Sequence, residues 1–353
     1  MNPPAIKVFI LGAGRVGRAI GRAIVDQAAR RQTPARNPSP TEASTAAPPS
    51  GDEADPAAPP SGDEADPAAL YLIGAWNRTP AAALATAALL GVEITSGPPL
   101  PDLQAADLII MSVPDDAIAD LAARLAPLLT PDQILLHTSG SHPASTMASD
   151  AMRAHLGGVH PLQALADPHG DPDLLRGATF AVEGDPEAID AARLVALAVG
   201  GNPVAIPSEA KVFYHAAAVV SANYITVLVD AARDLLAEAG VDARAGIQML
   251  MPLLKGTLDN LQHLNDNPTD DPHDPGLRAL SMALTGPVRR GDVGTVRRHL
   301  DAIDDLARRR PEAADLPALY RLLAARAAAI ARRGDLPDDL ADALDRALKR
   351  SKT

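Results

Sequence analysis

The 353-residue chain has no cysteine, which removes disulfides, thiolate metal ligands and a cysteine nucleophile together. Thiol chemistry therefore says nothing of its compartment. Aromatic residues make up only 2% of it, so Ala, Leu, Val and Ile must fill a core, and the few rings gain meaning from where they fall. Basic residues are outnumbered. A net charge of -12 repels phosphate backbones and argues against nucleic acid as a partner, although Arg15, Arg18, Arg22, Arg30 and Arg31 make one early stretch basic. Long apolar runs are also lacking: Val8 to Leu11 is too brief for a secretory signal, and nothing approaches the ~18 residues of a membrane span. The expectation is a cytoplasmic chain without a membrane partner. Its 47% hydrophobic and 22% charged content is that of a globular protein, and its length predicts two domains.

What is present begins with a duplication. Residues 48 to 58, Pro-Pro-Ser-Gly-Asp-Glu-Ala-Asp-Pro-Ala-Ala, recur letter for letter at 59 to 69. Such a segment buries too little apolar surface to offset the entropy of ordering, and two copies are too few and too polar to stack as a solenoid. Residues 32–69 therefore read as a disordered insert. Removing it leaves a βαβ rhythm, with a strand at 6 to 11, a helix near 15 to 30 and a strand at Leu70 to Ala75. Further strands are expected at Asp107 to Val113, Gln133 to His137, Gly157 to His160, Ala178 to Glu183 and Pro203 to Ile206. The last two either extend the sheet or form a small appendage. From Ser208 onward the pattern is helical. The predicted fold class is α/β, a doubly wound, mostly parallel sheet over 1–206 followed by an all-α domain over 207–353.

Lys7-Val-Phe-Ile-Leu-Gly-Ala-Gly-Arg-Val-Gly17 joins a buried-strand pattern to Gly-x-Gly-x-x-Gly at the mouth of a helix. In a dinucleotide site, Gly12 makes the tight turn, Gly14 admits the pyrophosphate to the backbone and Gly17 lets helix meet strand. Ala13, Arg15 and Val16 complete the turn, with helix amides facing the phosphates. The next strand ends Trp76-Asn-Arg-Thr79, where such folds read the adenosine ribose. An acid there favours NAD. Asn77, Arg78 and Thr79 instead offer donors and a guanidinium for a 2′-phosphate, so NADP is the expected cofactor, the alternative being an arginine merely exposed in a turn.

Three later strands end in polar groups, at Ser112-Val-Pro114, His137-Thr-Ser-Gly140 and Val159-His160. Ser112, Val113 and Pro114 should border the nicotinamide half, and Ser139, Gly140 and His160 a substrate, because open α/β sheets place ligands at this edge. Singly, each is equally well a helix cap or a satisfied core histidine. Five of nine histidines fall between His137 and His169, yet the spacings match no zinc signature, so no metal is expected. Lys211 and His215 lie four apart on one helical face, and Asn223 falls within about a quarter-turn of His215 at roughly 3.6 residues per turn. A plain amphipathic helix is the other reading, weakened by how apolar the helix otherwise is. Leu284-Thr-Gly-Pro287 is a helix stop that adds Thr285 to the candidate substrate contacts, or else a simple turn.

Together, the glycine turn, Trp76-Asn-Arg-Thr79, Ser112-Val-Pro-Asp115, His137-Thr-Ser-Gly140, His160-Pro-Leu162, the Lys211 to Asn223 helix and Leu284-Thr-Gly-Pro287 resemble Rossmann-like proteins carrying the helical domain of unknown function 2520. That group is similar to pyrroline-5-carboxylate reductases, ketopantoate reductases and β-hydroxyacid dehydrogenases. The resemblance implies hydride transfer between NADPH and a small keto acid or imine, and a homodimer formed through the helical domain. Relatives often carry a cysteine after the strand-five histidine; this chain has Thr138. Lys211 is the leading general acid, His215 the competing one because imidazoles exchange protons near neutrality, and Asn223 orients the substrate. The other class of function is an NADP-binding regulatory or assembly protein of the same fold without turnover.

Overall fold

The computed structural model describes residues 5–32, 69–98, 100–266 and 280–349; apart from its two end residues, the insert expected at 32–69 lies outside them. By compactness the chain divides into two units, Met1–Ala222 and Asn223–Thr353.

The first unit is built on an eight-stranded sheet, ordered β3-β2-β1-β4-β5-β6-β7-β8. Its strands are β1 (Ile6–Leu11), β2 (Leu70–Asn77), β3 (Ile94–Ser96), β4 (Leu108–Met111), β5 (Ile134–His137), β6 (His155–Pro161), β7 (Thr179–Gly184) and β8 (Asn202–Ala205). The first six follow the 3-2-1-4-5-6 order of a dinucleotide-binding fold and pair in parallel. β7 then runs antiparallel to β6, and β8 parallel to β7, so the last two strands extend the sheet in reverse. β3 went unseen in the sequence because Ile-Thr-Ser is too short to show a period.

Period-two alternation divides the core between the faces of the sheet. Val8 and Ile10 of β1 pack with Ile110, Val182, α1 (Arg15–Gln32) and α4 (Pro186–Ala198) on one side. Phe9 and Leu11 pack with Ile109, Met111, Trp76 and α3 (Ile118–Leu125) on the other. Between these come α2 (Pro80–Leu90), begun by Pro at its first position and ended by Gly91 in left-handed conformation, and after β8 α5 (Lys211–Ala218).

The second unit is wholly helical among its described residues: α6 (Tyr224–Glu238), α7 (Ala243–Asp266), a turn at Gly286–Arg289, then α8 (Val293–Arg309), α9 (Leu316–Arg333) and α10 (Asp338–Lys349). Val296, Leu300, Ala328, Ala331, Leu344 and Leu348 form its main core.

One expectation is corrected. Ser208–Glu238 is continuously helical over 31 residues and, by length and composition, apolar enough to cross a membrane. Single polar residues scattered among Ala and Val disguise its apolar length in the sequence.

Candidate functional site

Gly12 closes β1 with φ at 77°, a conformation that glycine adopts at little cost. A β-carbon there would fall 2.4 Å from Val113 Cγ1 and 2.9 Å from Ser112 O, and one on Gly17 would fall 2.9 Å from Ser112 Cβ and 3.3 Å from Ile10 Cγ2. Gly14 differs: only Gly12 O, at 4.0 Å, comes near its β-carbon position. Two glycines thus serve packing, and the third leaves open space over the backbone. Ala13 is buried, Val16 half-buried, and Arg15 exposed at the head of α1. The first turn of α1 carries no acid, so its positive end stays available to an anion. Ser112 and Val113 are half-buried, with Pro114 exposed beyond them.

At the end of β2 the three expected donors separate. Asn77 is buried, and its amide donates to Thr86 Oγ1 at 3.1 Å, an oxygen that also accepts from Arg18 Nε at 3.3 Å. Thr79 caps α2, its hydroxyl accepting from Ala82 N. Arg78 and Thr79 are both exposed, but only Thr79 is engaged in holding the start of α2. Asn77 and Thr79 are spent on fixing α2 to the strand end.

A second cluster arises from register. Trp76, Leu11, Met111, His137, Gly158 and Glu183 are paired in turn across neighbouring strands, so they form one row on one face. The first three are apolar core. Beyond them the row turns polar, and Gly158 leaves a gap in which the Lys211 amine sits: a β-carbon on Gly158 would lie 2.9 Å from Lys211 Nζ and 2.5 Å from Glu183 Oε1. Lys211, only 1% exposed, donates to Ser139 O at 2.9 Å and to Glu183 Oε1 at 3.2 Å. The other carboxylate oxygen accepts from Ser208 Oγ at 2.7 Å and Ala144 N at 3.2 Å. Burial lowers the Lys211 pKa, and the Glu183 carboxylate opposes that shift. His137 is wholly buried and depressed to about 4, by burial first and by the Lys211 charge second. Its Nδ1 accepts from Ser139 N at 3.2 Å, while its Nε2 has no hydrogen-bond partner and lies 3.8 Å from Glu183 Oε1.

Two residues beyond Gly158 on β6, His160 shares that face. Its Nδ1 is 2.9 Å from the Tyr214 hydroxyl, and its ring packs edge-on against both Tyr214 and His215. Burial holds His160 down to about 4, with the charges of His215 and Lys211 adding to the effect. Gly140 lies against this group, since its β-carbon would meet His215 Nδ1 at 2.6 Å and His160 Nε2 at 2.8 Å. Ser139 Oγ accepts from the Ser141 and His142 amides. Asp115 ties the loop after β4 to the loop after β5, its Oδ2 2.9 Å from Ser141 Oγ and 3.2 Å from His142 Nδ1.

Ser139, Gly140, His160, Lys211 and His215 are therefore brought together within the first unit. The expected role of Lys211 as a general acid does not suit its place: both of its contacts are buried protein oxygens, and none of it faces outward. Asn223 and Thr285 belong to the second unit, and both are exposed. Asn223 ends a π-helical turn, Val219–Asn223, which does not keep the 3.6-residue period on which its alignment with His215 rested. Thr285 precedes Gly286–Arg289 and forms no capping hydrogen bond. The sequence assigns no site role to Glu183, Asp115 or Tyr214, although Asp115 closes the Ser112-Val-Pro-Asp115 motif and Tyr214 stands on the Lys211 helix. The one signal for Glu183 was an acid inside Thr-Phe-Ala-Val-Glu-Gly, an otherwise apolar strand.

Residues 178–327 match the family model described as a domain of unknown function, DUF2520. No curated protein matches the sequence. Among solved structures, a candidate NADP oxidoreductase, BF3122 of Bacteroides fragilis, is 18% identical with a TM-score of 0.59, covering 92% of this chain and 98% of that one. An imine reductase from a Pseudomonas species is 16% identical (TM-score 0.54; 98% and 100% covered), and the 1-pyrroline-5-carboxylate reductase of Streptococcus pyogenes 14% (0.52; 98% and 99%). The motifs' resemblance thus holds where the model applies, a stretch that includes Glu183, Lys211, Tyr214 and His215. Residues 178–327 match the DUF2520 model, within a chain that shares its fold with these three solved structures.

Proposed function

We propose that the protein is an NADP-dependent oxidoreductase acting on a small keto acid or imine. The observation that carries this reading is the open backbone at Gly14, flanked by two packed glycines at the same sheet edge as the polar cluster. A bound nicotinamide dinucleotide supplies the hydride, and the protein's part is position and a proton. Gly12, Ala13 and Gly14 with the head of α1 suit a pyrophosphate, Arg78 a 2′-phosphate, and Ser112 to Pro114 the nicotinamide side. His215 is the proposed proton donor, since its Nδ1 is buried without a protein partner. Lys211 is a positioning residue that fixes the loop carrying Ser139 and Gly140 beside His160.

NADPH and NADH binding, followed by NADPH oxidation against a panel of small 2-keto acids and cyclic imines, tests the reading. His215→Ala should abolish turnover with NADPH affinity retained; unchanged turnover would remove its role. Asn223→Ala and Thr285→Ala ask whether either residue alters substrate KM. A chain that binds NADPH yet reduces nothing would favour a regulatory or assembly role.

Self-association is proposed as well. Tyr224, Val227, Ile247, Met249 and Leu253 of α6 and α7 are exposed, Leu253 by 68%, and apolar area of this kind marks interaction surfaces. The proposed partner is a second copy in the cytoplasm. Sedimentation as a dimer supports it; a monomer, or partition of the chain into vesicles, overturns it.

A further inference from the structure

The hydrogen bond between Tyr214 and His160 decides where one proton sits. A phenol is the stronger donor of the pair and an imidazole nitrogen the stronger acceptor, so at 2.9 Å the Tyr214 hydroxyl donates to His160 Nδ1. Burial raises the phenol to about 12 and lowers the imidazole to about 4, so both are neutral at physiological pH. With Nδ1 accepting, the ring proton belongs on Nε2, the nitrogen turned toward Gly140 and His215.

We propose that Tyr214 is a positioning residue that locks His160 as a neutral Nε2–H donor, and that this donor serves the carbonyl oxygen of the substrate. The inference rests on the reductase reading above and narrows it. A neutral N–H stabilises negative charge growing on an oxygen without having to give up its proton. It is a poor fit to a protonated imine, whose own N–H would face it donor to donor. Gly140 is part of the device, because any β-carbon would occupy the approach to both imidazoles.

Nitrogen-15 spectra of the full-length protein, with and without NADPH, test the tautomer without needing turnover. Wild type should show His160 protonated on Nε2 alone, and Tyr214→Phe, which keeps the ring and loses the hydroxyl, should show both tautomers. A proton on Nδ1 in wild type, or identical spectra in the variant, overturns the proposal. In steady-state assays Tyr214→Phe should lower kcat on a 2-keto acid about tenfold with KM changed less than about twofold. His160→Gln places an amide N–H near the Nε2 position without needing the tyrosine, so adding Tyr214→Phe to it should cost nothing further; an undiminished second loss overturns the positioning role. Preference for a cyclic imine over the keto acid overturns the carbonyl assignment. Failure to bind NADPH sinks the functional reading instead, and the spectra still decide this one.

Discussion

The two parts of the site are built by opposite means. The glycine turn is contiguous: six consecutive residues, Gly12 to Gly17, meet backbone demands that few other sequences satisfy. The polar cluster is dispersed, with His137, Gly158 and Glu183 aligned by the register of three strands and Lys211 brought to them from a helix. The turn depends on what is missing from its residues, and the cluster on charges that compensate one another. The first should therefore fail by loss of binding, and the second by loss of stability.

The sharpest break of this comparison comes inside the turn. Gly12→Ala forces a β-carbon into Val113 and a positive φ on alanine, so it should lose NADPH binding by more than about a hundredfold and cost about 2 to 4 kcal/mol of stability. Gly14→Ala meets no neighbour, so thermal melting should be unchanged while NADPH affinity still falls at least about tenfold. Equal melting losses for the two variants would show that Gly14 serves packing as well. Calorimetry and fluorescence titration on the pair separate fold from site.

For the cluster, Glu183→Ala leaves the Lys211 ammonium buried without its carboxylate, at an expected cost of about 3 to 5 kcal/mol, whereas Lys211→Met with Glu183→Leu should recover most of it. A double variant as unstable as the single one would mean that the remaining contacts of the pair, with Ser139, Ser208 and Ala144, hold the loop by themselves. Denaturant unfolding of the three proteins decides this.

This contrast also explains what could be read in advance. The α/β class of the first part, the helical second half and the glycine turn were legible because each rests on local period or local backbone geometry, whereas β3 was too short to show one. Lys211 and His215 were found as polar residues on an apolar helix, but the partner of Lys211 was not, since Glu183 meets it only after β7 has reversed against β6. Nothing in the residues of β7 announces that reversal. The role given to Asn77 failed for a similar reason: its partner, Thr86, lies on the next helix, and a side chain at a strand end can turn inward as readily as outward.

Acid offers a milder probe of the same cluster. His137, held near 4 against an ordinary value of about 6.5, binds its proton more weakly folded than unfolded. Its neutral form therefore contributes fully above about pH 6.5, and that contribution drains away as pH falls toward 4, by about 3 kcal/mol in all. His137→Gln should flatten this part of the stability profile, with the His160 contribution remaining. An unchanged slope would place the acid sensitivity elsewhere.

The smallest effect, and the finest test of the cofactor reading, lies at the end of β2. Arg78 is exposed where a ribose phosphate would lie, whereas Asn77 holds α2 from within. Arg78→Ala should weaken NADPH about ten- to a hundredfold and NADH hardly at all, because only the former carries the charge that a guanidinium would pair. Asn77→Ala should instead lower stability by about 1 to 2 kcal/mol by removing a buried donor from Thr86, with any loss of affinity shared equally by both dinucleotides. If Asn77→Ala discriminated between them and Arg78→Ala did not, the buried amide would have to turn outward on binding, and the strand end would be a moving part of the site rather than its fixed frame.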